Sequence, residues 1–299
     1  MNAYGSGKIL LTSEYLVLHG AQALALPTRL GQAFDVKPHE EKLLHWQSKD
    51  PQNIVWFDAL FEPPNFNIIR ANDIKIATTL QALLRATKRY TQKNWEGTGT
   101  VVSQLEFERH WGLGSSSSLV YFLGLWGQSN PYRILEDTLG GSGYDIAAAA
   151  AEGPILYTRN QDQPLVEKAP FNPAFKDHLI FVYRNKKKNS QKAIKPLLDQ
   201  KPSKKLLDQS QALTDAFVQA ASLEDFQEVL VAHEKMIASY IGQPTLKETL
   251  FADFRGAVKS LGAWGGDFIL AASKEPMEDY FRDLGYTTQF RYSDLIYQE

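Results

Sequence analysis

Short apolar runs broken by polar residues fill the first sixty positions. Residues 8–11 and 15–18 are two such runs, the second closed by His19 and Gly20. Others span 23–27, 31–37, 42–47 and 54–60, a series that predicts short strands of an antiparallel sheet. From 74 to 90 the period lengthens, and Ile76, Leu80, Leu83 and Leu84 recur at helical spacing. Alternation returns over 98–107, with Val101, Leu105 and Phe107 directed to a core. Helices are predicted over 116–128, 131–139 and 142–152, the second opened by an Asn130 cap and a first-turn Pro131.

A strand over 155–158 precedes a proline-containing stretch, 162–177, that reads as a connection between domains. Beyond it come a strand at 178–183 and a helix over 190–198. Longer helices follow at 204–221, 223–240 and 246–261. The chain closes as strand 267–272, helix 276–284 and strand 286–292. Strands and helices in this order predict an α+β arrangement, with helices on one face of a sheet.

Composition adds exclusions. At 299 residues the chain suffices for one large domain or two ordinary ones. Its 43% hydrophobic and 22% charged residues are ordinary for a globular protein. A formal net charge of −2 predicts no affinity for nucleic acid or an anionic membrane. With no cysteine, disulfides, thiolate metal sites and cysteine nucleophiles are excluded. The first eight residues lack the basic stretch and apolar core of a secretion signal, which predicts a cytoplasmic protein.

Candidate chemistry centres on Gly112-Leu113-Gly114-Ser115-Ser116-Ser117-Ser118, which runs into an apolar helix. Backbone N–H groups at a helix N-terminus, with the positive end of its dipole, suit a phosphate. A flexible connector has the same composition. Two further glycine segments stand beside it: 140–145, entering an alanine-rich helix with Asp145 at its mouth, and 262–266, entering a strand. Several motifs fail. Gly5-Ser6-Gly7-Lys8 lacks Walker spacing and is followed by Ile9, and Gly112 with Gly114 lacks the third glycine of a dinucleotide fingerprint. No serine sits in a hydrolase elbow.

Taken together, four segments resemble the GHMP kinase superfamily, most closely its mevalonate and phosphomevalonate kinase branch. They are 7–20 continuing to 25, then 112–116, 141–145 and 262–266. Four positions depart from the family pattern. Ser13 stands where glycine is usual, and residues 108–111 replace a frequent proline. Trp264 replaces a small residue, so its loop must open or turn outward, and Asp267 stands where small or apolar residues are common.

The resemblance implies a two-domain α+β GHMP kinase fold. Residues 1–170 would form an N-terminal ribosomal protein S5 domain 2-like domain that binds ATP, and 171–299 a ferredoxin-like domain. Asp145 and Lys8 would be catalytic, the carboxylate taking the acceptor hydroxyl's proton and the lysine supporting it. Gly112, Leu113, Gly114, Ser115, Ser116 and Ser117 would bind ATP. Ser116 would ligate Mg²⁺ together with Glu136, although Asp137 is adjacent. Glu14, His19, Gly143, Tyr144, Gly265 and Gly266 would line the acceptor site. Lys186, Lys187 and Lys188 read either as a solvated run or as the holder of a substrate phosphate.

The implied activity is ATP- and Mg²⁺-dependent phosphorylation of mevalonate or phosphomevalonate in isoprenoid biosynthesis, by a monomer or homodimer. Another small alcohol as acceptor (homoserine or a sugar), a diphosphomevalonate decarboxylase-like lyase and a non-catalytic relative are the alternatives.

Overall fold

The alternating segments of the N-terminal half pair as strands, and the helical period of 74–90 becomes a helix packed on them. The computed structural model describes residues 1–160, 163–185, 200–262, 264 and 266–298. The expected helix over 190–198 lies outside the described residues. Two compact units result. The first holds Met1–Gly7, Leu30–Arg109 and Leu113–Ala150, and the second Lys8–Arg29, His110–Gly112 and Ala151–Glu299. These bounds differ from a single cut after residue 170. Strand pairing is the reason: Ala23, Leu24 and Ala25 pair with Tyr157, Leu156 and Ile155, so an early segment finds its partner beyond residue 150.

β1 (Asn2–Leu10) and β2 (Ala23–Lys37) begin the chain and pair with each other. In the first unit, the C-terminal part of β2 joins β3 (Leu44–Lys49), β4 (Val55–Glu62), β5 (Asn67–Ala71) and β6 (Gly99–Leu105). Their order is β5-β4-β3-β6-β2, antiparallel except for the parallel pair β3 and β6. Val101, Leu105 and Phe107 are buried, as their alternation predicts.

α1 (Ile74–Tyr90) has the expected bounds, and the Asp73 side chain caps it by accepting from Ile76 N–H at 3.1 Å. α2 (Ser115–Gly127) and α3 (Pro131–Thr138) follow, the latter capped by Asn130 Oδ1, which accepts from Tyr132 N–H at 2.9 Å. α4 (Tyr144–Ala149) starts later than expected, because Gly143 before it takes a left-handed φ of 87°. α1 packs on α2 and α3, and α2 on α4. Phe122 of α2 stacks on Phe34 of the sheet with centroids 4.2 Å apart, while Trp46 meets it edge-on.

In the second unit, β7 (Ile155–Thr158) pairs with the start of β2 and with β8 (Leu165–Lys168). β8 lies in the stretch expected to be a connection. All four of its residues are exposed, so no apolar alternation marks it. A second sheet contains β9 (Leu179–Tyr183), β10 (Ala257–Leu261), β11 (Phe268–Ala272) and β12 (Gln289–Arg291). Its order is β10-β11-β9-β12, antiparallel throughout. The helices of this unit are α5 (Lys204–Gln219), α6 (Leu223–Ile241), α7 (Leu246–Leu250), α8 (Glu278–Asp283) and α9 (Tyr292–Leu295). α6 and α7 pack on β10, and α9 on β9 and β12. The α+β class is as expected, with an antiparallel four-stranded sheet and helices in the C-terminal part, consistent with a ferredoxin-like domain.

Three expected elements change. The helix over 246–261 stops at Leu250, and its last five residues form β10, every one of them buried. A fully buried run has no polar side to reveal its period. Residues 16–19 form a 3₁₀ turn instead of a strand, because Ser13 and Tyr15 take φ of 63° and 64°, outside the β region. The two short strands expected at 23–27 and 31–37 are one strand, β2. Pro27 is tolerated there because it falls between the residues laddered to β7 and those laddered to β6. No helix among the described residues is long and apolar enough to cross a membrane.

Candidate active site

The serine motif is divided: Gly112 belongs to the second unit, and Leu113 onward to the first. Gly114 caps α2 in the left-handed region with φ of 94°, and its carbonyl accepts from Ser117 N–H at 2.9 Å and Ser118 N–H at 3.0 Å. The N–H groups of Ser115 and Ser116 fall at the first turn, where a helix offers no acceptor of its own. Leu113 is buried and anchors the loop, whereas Ser116 is exposed. Ser118 turns inward and donates to Gln32 Oε1 at 2.7 Å. An anion with several oxygens fits this arrangement. The positive end of the helix, the first-turn N–H groups and an exposed hydroxyl suit the phosphates of a nucleotide.

The third motif has the same construction. Gly143 caps α4, Tyr144 is buried, and Asp145 stands half-buried in the first turn. Since α2 packs on α4, Ser115, Ser116 and Asp145 belong to neighbouring helices of one unit. Glu136 is exposed on α3. Asp137 beside it accepts from Arg89 Nη1 and Tyr90 Oη, each at 2.7 Å. These bonds, the tyrosine's foremost, hold its carboxyl below the usual range. Asp137 is thus committed to α1. Among the described residues, no three acidic or histidine side chains form a ready-made metal site.

In the second unit, Lys8 is half-buried near the end of β1. The turn after that strand holds Glu14 between Ser13 and Tyr15, both at positive φ, a conformation that costs on the order of 1–3 kcal/mol per residue. Buried hydrogen bonds fix it. Ser13 N–H donates to His233 Nε2 at 2.9 Å, Ser13 Oγ donates to the Gln22 carbonyl at 2.6 Å, and Ser210 Oγ lies 2.8 Å from Ser13 Oγ. Ser13 therefore holds a positive φ with its hydroxyl as a tether.

Glu14 is 4% exposed and accepts a hydrogen bond from Lys259 Nζ, itself fully buried on β10. Burial pushes the Glu14 carboxyl up, and the ammonium beside it pulls back. Glu234 on α6 accepts from Ser260 N–H at 3.1 Å. Its burial, reinforced by the Glu14 charge against the opposing pull of Lys259, pushes it up to about 8, so it keeps its proton at neutral pH. Burial, with Lys259 nearby, drives His233 well below its ordinary value. The neutral ring is the form whose Nε2 can accept from Ser13. The Lys259–Glu14 contact thus stands beside a neutral His233 and a protonated Glu234. His233, Glu234 and Lys259 carry no motif. Their signal in the sequence is only polar residues on otherwise apolar faces.

His19 ends the 3₁₀ turn, half-buried, and burial with the cations of Arg159 and Lys201 lowers its pKa. Trp264 of the fourth glycine segment is half-buried. Its ring packs with the cluster of Tyr15, Leu16, Met236 and Ile237, and its Nε1–H donates to the Pro244 carbonyl at 3.3 Å. Its backbone N–H donates to Tyr15 Oη at 2.8 Å. Gly266 is described and precedes the buried Asp267, while Gly265, Lys186, Lys187 and Lys188 lie outside the described residues.

No protein-family model matches the chain, and no curated protein matches it. Solved structures do. A mevalonate kinase from Methanococcus jannaschii superposes with a TM-score of 0.69 at 15% identity, covering 100% of this chain and 98% of that one. A phosphomevalonate kinase from Streptococcus pneumoniae, holding phosphomevalonate and AMPPNP, gives 0.69 at 18% identity over 97% and 99%. A galactokinase from Lactococcus lactis, complexed with galactose, gives 0.68 at 14% identity over 97% and 92%. The chain has the fold of these kinases, the one its motifs resemble.

Proposed function

We propose that this chain is an ATP- and Mg²⁺-dependent kinase that phosphorylates phosphomevalonate or mevalonate. The observation that carries the reading is the packing of α2 on α4, two helices that both start at a left-handed glycine. One presents a serine-rich N-terminus suited to phosphate, and the other presents a carboxylate in its first turn. When bound, Mg·ATP supplies the phosphoryl group and neutralises charge on its oxygens. The N–H groups of Ser115 and Ser116 hold phosphate oxygens, and the Ser116 hydroxyl and Glu136 are the residues for the cation. Asp145 accepts the proton of the acceptor hydroxyl, and Lys8 supplies an ammonium to the developing charge. A carboxylate is a weak base toward an alcohol, so positioning and charge neutralisation carry most of the acceleration.

The test is ADP release measured with mevalonate, phosphomevalonate, homoserine and sugars. Turnover with either of the first two supports the reading, and turnover only with another alcohol moves the acceptor. CO₂ released together with ADP from diphosphomevalonate makes the protein a decarboxylase. No ADP with any acceptor removes the kinase assignment.

A further inference from the structure

The second unit contains a buried polar assembly around Glu14, in which His233, Glu234 and Lys259 have no part in the proposed chemistry. Four elements meet there: the turn at Ser13–Tyr15, α5 with Ser210, α6 with adjacent His233 and Glu234, and β10 with Lys259 and Ser260. His233, Glu234, Lys259 and Glu14 are all under 5% exposed. Each contact runs toward backbone or toward the turn. His233 takes the Ser13 N–H, Lys259 donates to Glu14 and to the Ser260 carbonyl at 3.0 Å, and Glu234 takes the Ser260 N–H. From the far side of the turn, the Tyr15 hydroxyl takes the Trp264 N–H, inside the glycine loop that follows β10. A turn with two non-glycine residues at positive φ persists only where its surroundings over-determine it.

We infer that His233, Glu234 and Lys259 are positioning residues: they lock the Ser13–Tyr15 turn and, through Tyr15, fasten the loop at Trp264 to it. The functional consequence rests on the kinase reading. The turn directly continues the strand bearing Lys8, and the fastened loop contains Gly266. The lock therefore sets the backbone under both without touching a ligand.

Amide exchange by NMR on the full chain tests the lock without reference to activity. His233→Leu removes the acceptor, and His233→Gln places a carbonyl oxygen where Nε2 accepts. The leucine variant is expected to speed exchange at Ser13 and Trp264 at least tenfold, with β9 and β11 amides unchanged, and the glutamine variant to restore protection. If the leucine variant does not fold, Tyr15→Phe reads the same link, with Trp264 exchanging faster and Ser13 unchanged. Wild-type protection at both amides in His233→Leu overturns the inference. So do equal losses in the leucine and glutamine variants, loss of protection throughout the sheet, or an unchanged Trp264 in Tyr15→Phe. In turnover, His233→Leu should lower kcat about tenfold with the KM for ATP within twofold, and the glutamine variant should recover it. A wild type with no transfer to any acceptor defeats the kinase reading, while the exchange result still decides the lock.

Discussion

The carboxylate of Asp267 lies against the backbone of Gly112, so that a Cβ built on the glycine would stand 2.5 Å from Asp267 Oδ2. Gly112 also has φ of 72°, and Asp267, 6% exposed, has little room to withdraw. Gly112→Ala therefore meets both a clash and a backbone penalty, the latter roughly 1–2 kcal/mol. A lowered melting temperature is expected, with partial recovery in Gly112→Ala/Asp267→Ala because only the clash is relieved. An unchanged melting temperature in the single variant would show that the two residues are not in contact.

Asp145 is the second site to probe. Asp145→Asn should lower kcat by orders of magnitude with little change in the KM for ATP, the pattern of an interaction made chiefly in the transition state. Near-normal turnover by the folded variant would remove the proton-acceptor role.

Ser116 is exposed, so Ser116→Ala should leave stability within about 0.5 kcal/mol. Titration calorimetry should show a larger loss for Mg·ATP than for ATP in chelator. Equal losses would leave Ser116 shaping the loop, with N–H groups alone binding phosphate.

The fourth prediction concerns pH. Glu234 titrates near 8 in the folded chain against 4.5 for its ordinary value, so between these the folded state binds a proton that the unfolded state lacks. Stability must fall as pH rises through that window, by at most about 1.4 kcal/mol per unit from this group. Glu14, also raised, acts in the same direction. His233, lowered well below 6.5, gives the opposite slope, but only below that value. Denaturant unfolding from pH 6.5 to 8 should thus show declining stability, and Glu234→Gln should flatten the decline. The same slope in both proteins would place the titration elsewhere.

What could be read from the sequence follows the periodicity of each segment. Residues 74–90 alternate between a wet and a dry face, and the helix has the predicted bounds. β10 is dry on all sides and β8 wet on all sides, so neither shows a period. Among site residues, Gly114 and Gly143 were legible because a left-handed cap favours that residue type. Lys259 was not, since its partner Glu14 is 245 positions away. Trp264 was legible as an intruder in its loop, but the tyrosine hydroxyl that meets it was not.

That separation of 245 positions also sets an order in time. On a ribosome adding about 5–20 residues per second, Glu14 is made roughly 12–50 s before Lys259. Ser13 waits nearly as long for His233, 220 positions on. Throughout that interval the first motif has neither its counter-ion nor its acceptor, and water must serve both groups. The turn can take its final shape only once nearly the whole chain has been made. A nascent chain arrested before residue 233 should therefore leave residues 11–18 open to proteases, however much of the N-terminal sheet has already closed.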